Sequence, residues 1–527
     1  MQKVVMNPVD YLSSEKKEEY FHSLNKKNVN LFNELLESSK GIEEKTAVED
    51  PFMKMDYKTL IISCYVLGEK IEKGLKNDES IGVLLPTSVV HVLTLFSIFK
   101  AGKTPALLNS SMGIKSILDC IDSGQLKTVI TSKSFVEKGG FELLIKELEK
   151  TLTVLYIEDL KAAISQSDKA KGYIQYQIKK QVKASRNELI LFTSGSETKP
   201  KGVVLSHGNI YANIYQIFSM LPFYAHDKVF NALPMFHSFG LTTGTLFPLL
   251  TKLSVFLYPT PLHFKEIPAV VFNSHSTILF GTSTFLEKYE KAAKKHHFSS
   301  LRFVVAGGER LKPEVRDAYL IKSAVRILEG YGCTEAAPVI CFNALPLYKT
   351  NTVGMFLPGV QYKIVPVEGI SEGGRLLIKG PNVMKGYLQY EQGFIPAPEW
   401  YDTGDVVKQD EDGCITVLSR LKRFAKLSGE MVSLNLVEQI AAKCYQRTDF
   451  YAVCVPDATK GERIVLFTTF NEIEAAKLKK YVKIEQLSQM NIPHTIENIN
   501  SVPLLGSGKV DYVTLTQQAK ILFTPKI

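Results

Sequence analysis

The sequence predicts an α/β protein. Residues 1–420 read as a large N-terminal domain of sheets layered with helices plus a β-rich subdomain, and residues 421–527 as a small C-terminal α/β domain. Three observations carry this reading. The chain has 527 residues, more than one hydrophobic core normally serves, so at least two domains are expected. Short β-branched runs alternate with helical patterns up to about residue 307, which favours sheets covered by helices. The texture then changes twice, near residues 360 and 420.

In chain order, IGVLLP (81–86), TVIT (128–131), LTVLYI (152–157), LILFT (189–193), TILFG (277–281) and LRFVVAG (301–307) read as strands. The longest apolar stretch, Val89 to Phe99, contains His91, Thr94 and Ser97. It falls short of the ~18 apolar residues of a membrane span and reads as a buried helix. Residues 158–188 are rich in Lys, Gln and Ser with weak periodicity, and an exposed connector is expected there. VQYKIVPV, GRLLIKG and GCITVLS supply short strands between 360 and 418. Beyond 420, the strands YAVCVP and RIVLFTTF and the helical segment IEAAKLKKYVKI fill the small domain.

Hydrophobic residues make up 45% and charged residues 22%, which excludes a disordered or collagen-like chain. The net charge of +9, spread over so long a chain, reads more readily as a lysine-rich composition than as a nucleic-acid footprint, and no nucleic-acid partner is expected. The seven cysteines are odd in number and form no C-x-x-C pair. A disulfide framework and a zinc site are therefore not expected, and a reducing, cytoplasmic setting is. The opening MQKVVMNPVDYLSSEKKEEY has acidic residues and no apolar core, unlike a signal peptide.

The sharpest local signal is TSGSETKPKG, Thr193 to Gly202, after an apolar strand. Its backbone N–H groups and hydroxyls can face phosphate oxygens, and Lys201 adds charge. Taken alone, it is equally a polar surface turn. It lacks the Walker A spacing. GSGK (506–509) also fails that test, because Pro503 stands where glycine is needed and Val510 where Ser or Thr is. GISEG (369–373) matches the hydrolase pattern G-x-S-x-G. Ser371, however, lies between two apparent strands with no helix to follow, so a turn is expected.

TSGSETKPKG is followed by LPMFHSFG (233–240), AGGERL (306–311), EGYGCTEAAP (329–338), WYDTGDVV (400–407), SRLKRFAKLSGEMVS (419–433) and PLLGSGKVDY (503–512). In order and approximate spacing, this series resembles the superfamily of acyl-CoA synthetases, peptide-synthetase adenylation domains and luciferases, from about residue 46 to the C-terminus.

That resemblance implies ATP and Mg²⁺. A carboxylate attacks the ATP α-phosphate, giving an acyl-adenylate and pyrophosphate, and the charge on the phosphate oxygens must be neutralised. The resemblance assigns Thr193, Ser194, Gly195, Ser196, Thr198 and Lys201 to a phosphate loop. It assigns Thr334 to a phosphate contact and Glu335 to Mg²⁺, a hard cation suited to carboxylate oxygen. Gly308, Glu309, Gly330 and Tyr331 become the adenine wall, with Tyr331 offering a stacking face. Asp405 holds the ribose hydroxyls, and Arg420 makes a second ribose or phosphate contact, although Ser419 replaces the family's usual glycine. Lys509 orients the carboxylate and bridges to the adenylate. Outside the resemblance, Glu335 reads as a helix-start residue, D-T-G-D as a plain turn and Lys509 as an exposed lysine. His237 is implied near the substrate carboxylate and an acyl tunnel mouth, as a positioning group. Lying between Phe236 and Phe239, it also reads as a packed core residue.

Lys422, two residues after Arg420, matches the family's hinge. Rotation there would exchange the Lys509 loop for the segment around Gly429, which makes the small domain mobile.

A fatty-acid tunnel needs apolar lining, and TLFPLL (245–250), FGTSTFL (280–286) and VICFNAL (339–345) offer it, although each equally reads as core. RFAKLSGEMVSL (423–434), PDATKGERIVLFTT (456–469) and PLLGSGKVDYVTL (503–515) look like the synthetase half of bacterial 2-acylglycerophosphoethanolamine acyltransferase/acyl-acyl carrier protein synthetases. The acyltransferase half of those enzymes carries H-x-x-x-x-D. Here His22 is followed by Lys27 and His91 by Phe96, so a synthetase without that half is expected. The expected reaction is activation of a long-chain fatty acid and its transfer to holo-acyl carrier protein, with CoA as the alternative thiol. Residues 421–527 hold 14 Lys/Arg against 10 Asp/Glu. Lys477, Lys479, Lys480 and Lys483 are candidates for docking an acidic carrier, or equally a solvated helix face. Loose peripheral contact with a membrane is compatible with this charge.

Overall fold

The computed structural model describes residues 4–5, 14–26, 28–75, 79–184, 186–193, 199–370, 372–427, 430–457, 461–471, 473–504 and 510–523. The chain divides into two units: residues 1–361 with 379–399, and residues 362–378 with 400–527.

The first unit is built on two large sheets. In the eight-stranded sheet, Glu188–Thr193, Thr104–Leu107, Ser80–Val83, Thr128–Thr131 and Thr153–Tyr156 lie side by side and parallel. Lys201–Ser206, Gly386–Gln389 and Gly393–Pro396 extend it antiparallel beyond Glu188–Thr193. The nine-stranded sheet has a parallel centre, Arg326–Gly332, Phe303–Ala306, Ile278–Gly281, Lys228–Asn231, Ser254–Leu257 and Thr46–Glu49. Antiparallel strands close both of its edges. The parallel strands read as continuous apolar runs because helices cover both faces. Val89–Lys100 is one such helix. It is buried over most of its length, and Ser88 caps it by accepting from the His91 N–H.

Residues 158–188 are not a plain connector. Gln166–Gln177 is a helix with a capping box in which Ser165 and Asp168 exchange side-chain and backbone bonds. It lies on the helix Tyr57–Gly74 through Gly172, where a Cβ would meet Val66 Cγ2 at 2.4 Å. The Lys70–Asp168 (2.7 Å) and Lys171–Glu69 ion pairs add to this contact. Contact through a glycine and ion pairs leaves no apolar stripe, which is why periodicity was weak.

The β-rich stretch is also shared out. The hairpin Gly386–Gln389/Gly393–Pro396 joins the eight-stranded sheet of the first unit. Gln361–Val365, Gly374–Lys379, Tyr401–Gln409 and Ile415–Arg420 form a separate four-stranded sheet. Ser371 lies outside the described residues. The element after it is the strand Gly374–Lys379, not the helix that a nucleophile elbow requires. From Phe424 onward, the second unit has a five-stranded sheet with its own core. The helices Leu434–Tyr445 and Ala475–Ile484 bury Val437, Ile440, Leu478 and Val482 in one apolar cluster. Tyr512–Leu522 buries Leu515 and Ala519 in another.

Candidate active site

In the first unit, the two ends of TSGSETKPKG are strand residues. Thr193 and Lys201 face each other as the terminal pair of an antiparallel ladder. Ser194, Gly195, Ser196 and Thr198 lie outside the described residues. Pro200 O accepts from Ser123 Oγ at 2.9 Å, which fixes the returning limb. Lys201 Nζ lies over the Tyr387 ring, 5.4 Å from its centroid. The Tyr387 hydroxyl donates to Glu335 Oε1 at 2.9 Å. The Met384 N–H donates to Glu335 O at 2.8 Å, so the hairpin strand grips this residue by main chain and side chain. Tyr387 carried no sequence signal. It acts on a residue 52 positions away through a fold contact.

The nine-stranded sheet delivers the next motifs. Phe303–Ala306 runs into Gly307, Gly308 and Glu309, and its parallel neighbour Arg326–Gly332 carries Gly330 and Tyr331 before the 3-10 turn Thr334–Ala336. Ser238 Oγ donates to Thr334 Oγ1 at 3.4 Å, joining LPMFHSFG to EGYGCTEAAP. A Cβ on Gly307 would meet the Phe239 ring at 3.1 Å and Gly330 O at 3.4 Å, so AGGERL closes on both. Gly308 is exposed and Tyr331 half-buried. The Glu309 carboxylate accepts from the Thr284 N–H at the start of the helix Ser283–Ala292. That contact stabilises a helix N-terminus. Glu329, which opens EGYGCTEAAP, is buried, and burial pushes its carboxyl up to about 7 against the pull of Arg316 and Arg310.

His237 is half-buried, its ring centroid 4.8 Å from that of Phe236. It lies in a loop that leads into Phe239–Leu246, a π-helix. Asn231 clamps that loop at both ends. Its Oδ1 accepts from the Leu233 N–H at 3.0 Å, and its Nδ2 donates to Gly240 O at 3.0 Å and Thr245 Oγ1 at 3.1 Å. Gly244 leaves room for this carboxamide, since a Cβ there would lie 2.4 Å from Asn231 Cγ. A polar group inserted into the helical ladder accounts for the wide turn. The three apolar stretches read as acyl lining are packed as core, with Leu246, Phe247, Leu286 and Ile340 almost fully buried.

In the second unit, D-T-G-D is not a turn. It lies inside the strand Tyr401–Gln409, where Gly404 takes a φ of +70° and the ladder slips between Val406 and Val407. The bulge absorbs the glycine and keeps the strand running. Asp405 is buried and paired in register with Arg420, whose Nε lies 3.3 Å from Asp405 Oδ1. Leu421–Arg423, with Lys422 exposed at its centre, forms one 3-10 turn. The Arg423 guanidinium then donates to Ala452 O (3.1 Å), Asn435 Oδ1 (3.0 Å) and Glu438 Oε1 (2.7 Å) and lies over the Tyr512 ring. Gly429 and Lys509 lie outside the described residues. Leu504 and Val510, which bracket the Lys509 loop, form an antiparallel bridge. Lys477, Lys479, Lys480 and Lys483 are exposed on Ala475–Ile484.

Among the described residues, no group of three or more His, Cys, Asp or Glu is placed to cage a metal ion. Glu335 directs one carboxylate oxygen to Tyr387. A single carboxylate fits Mg²⁺, which usually takes one or two protein carboxylates together with substrate phosphates. No helix of the described residues is long and apolar enough to cross a membrane.

A family model described as AMP-binding enzyme matches residues 37–388. A long-chain-fatty-acid–CoA ligase of Haemophilus influenzae is 25% identical over 507 residues, covering 87% of this chain and 88% of that protein. The Salmonella typhimurium protein of the same name is 26% identical, covering 85% and 86%. The Arabidopsis thaliana 4-coumarate–CoA ligase-like 8 is 26% identical, covering 83% and 82%. Among solved structures, ATP-bound MatB from Rhodopseudomonas palustris superposes with a TM-score of 0.80 at 22% identity, covering 94% of this chain and all of that one. An anthranilate CoA ligase holding anthranoyl-AMP gives 0.78 at 20% identity, covering 94% and 98%. These likenesses establish the fold.

Proposed function

The chain belongs to the AMP-binding enzyme family, and on that premise we propose that it is an ATP-dependent acid–thiol ligase for long-chain fatty acids. The fatty acid and ATP give acyl-adenylate and pyrophosphate; the adenylate and a thiol then give thioester and AMP. The observation that carries the proposal is the convergence of Lys201, Tyr387, Glu335, Thr334 and Ser238 beside the loop of His237. Cation, hydroxyls and carboxylate are the groups needed where phosphate charge builds up. Glu335 would hold Mg²⁺, which neutralises phosphate oxygens when bound. Tyr387 orients that carboxylate. Thr193, Lys201 and Thr334 bind phosphate, Tyr331 stacks on adenine, Asp405 and Arg420 take the ribose, His237 orients the substrate carboxylate, and Lys509 bridges to the adenylate.

The names of the relatives support CoA as the thiol. A second reading, holo-acyl carrier protein, is supported by the three segments at 423–434, 456–469 and 503–515 and by the four exposed lysines of Ala475–Ile484. The test is thioester formation from a labelled long-chain fatty acid and ATP–Mg²⁺, with CoA in one tube and holo-acyl carrier protein in another. Product with one thiol alone assigns the acceptor. No product in either, with no pyrophosphate exchange, sinks the proposal. Lys422→Pro is expected to keep exchange and lose thioester formation, and equal loss of both counts against a hinge there.

A further inference from the structure

Far along the chain from the motif residues, charged side chains of the first unit line a cleft of about 550 Å³. Lys73 comes from the helix Tyr57–Gly74, Lys100 and Lys103 from the end of Val89–Lys100 and the turn after it, Lys171 from Gln166–Gln177, and Lys180 from just beyond. Five lysines face only two carboxylates, Glu69 and Glu72. Both carboxylates are already engaged. Glu69 pairs with Lys171 and with Lys73 (3.3 Å) and accepts from Gln175 Nε2, and Glu72 pairs with Lys100 at 3.2 Å.

Lys100 is 8% exposed, which is rare for a lysine. Its stem passes Gly68, in mid-helix, where a Cβ would come within 2.5 Å of Lys100 Cδ and 2.8 Å of the fixed carbonyl Ser97 O. Glycine inside a helix costs about 1 kcal/mol relative to alanine. The helix gives up that stability where the lysine passes. Burial depresses the ammonium of Lys100, Glu72 opposes the shift, and the ammonium of Lys180 adds to it. Like charges held together in a partly enclosed space favour an anion among them.

We infer that this cleft is a binding site for a phosphate-bearing anion, separate from the ATP site. Lysines supply rotatable point charges, which suit the several oxygens of a phosphate without the planar geometry that arginine imposes. The volume falls in the range of small-ligand pockets. Separation follows from topology. Lys103 immediately precedes the strand Thr104–Leu107, at its amino end. The phosphate-loop motif follows the carboxyl end of the parallel neighbour Glu188–Thr193, paired through Ala106 and Ile190. The two sites therefore occupy opposite edges of one sheet, and this inference does not depend on the thiol acceptor.

Lysine-specific acylation read by mass spectrometry tests it on the full-length enzyme, with inorganic tripolyphosphate as one probe and phosphatidylglycerol vesicles as the other. Lys201 reports the active site separately. Expected is slower labelling of Lys103 and Lys180 with at least one probe. In Lys180→Glu, half-protection of Lys103 should need about tenfold more probe, the loss set by replacing attraction with repulsion. Pyrophosphate exchange is unchanged in that variant. Protection by tripolyphosphate alone assigns a soluble phosphate ligand, and protection by vesicles alone assigns a lipid headgroup. Unchanged labelling of Lys103 and Lys180 with both probes, or equal protection of Lys103 in Lys180→Glu, overturns the proposal.

Discussion

Arg420 stands directly opposite Asp405 across an antiparallel ladder, its Nε 3.3 Å from Asp405 Oδ1. The carboxylate is buried while the guanidinium is 69% exposed, so solvent screens the pair. Such a pair contributes little to stability, roughly 0–1 kcal/mol. Arg420→Ala is therefore expected to leave thermal unfolding nearly unchanged while adenylation, read by pyrophosphate exchange, falls about tenfold or more through lost nucleotide contacts. A large drop in melting temperature with normal exchange would reverse this assignment.

Tyr387 and Glu335 offer a graded test. Removing one hydroxyl by Tyr387→Phe forfeits a hydrogen bond to a carboxylate, about 1.5–3 kcal/mol where charge assists. The apparent affinity for Mg²⁺–ATP should fall about tenfold, with full activity recovered at high Mg²⁺. Glu335→Gln should not recover. If both variants respond alike to Mg²⁺, Glu335 is not the metal-facing group.

Asn231 and Gly244 interlock, so their substitutions should not add. Gly244→Ala forces a methyl against the Asn231 carboxamide and is expected to cost about 1–3 kcal/mol in chemical denaturation. Asn231→Ala together with Gly244→Ala makes room and should regain part of that stability. Adenylation should stay impaired, because the loop of His237 has lost its clamp. Recovery of activity along with stability would make Asn231 a packing residue alone.

Glu329 carries a pH signature. Its carboxyl is moved by burial from an ordinary 4.5 to about 7. Between those values the native state holds a proton that the unfolded chain has lost, so this group's contribution to stability falls as pH rises through that window. Glu329→Gln removes the effect. The variant should match wild type near pH 4.5 and melt higher than wild type above pH 7. A constant difference across the range would show that Glu329 titrates normally.

What the sequence revealed follows from how local each feature is. TVIT is the strand Thr128–Thr131, and the apolar stretch from Val89 is a helix, because both signals lie in consecutive residues. The helix Gln166–Gln177 was hidden because it packs through Gly172 and ion pairs, not through a stripe. D-T-G-D reads as a turn in sequence but is a bulge within a ladder, which only the partner strand reveals. In the site, the motif residues were legible from their ordered spacing. Asn231 and Tyr387 were not, since each works through contacts made by the fold.

Only Leu421 and Lys422 separate the ladder pair of Arg420 from the largely buried guanidinium of Arg423. A swivel so short behaves as a bearing and not as a tether. It can redirect what it carries but cannot lengthen its reach. Any turning there must also break the 3.2 Å bond from Asn435 Nδ2 to Leu418 O, which spans the pivot. Motion about this point is thereby confined to a few detented headings, with Asn435 as the catch that one of them has to release.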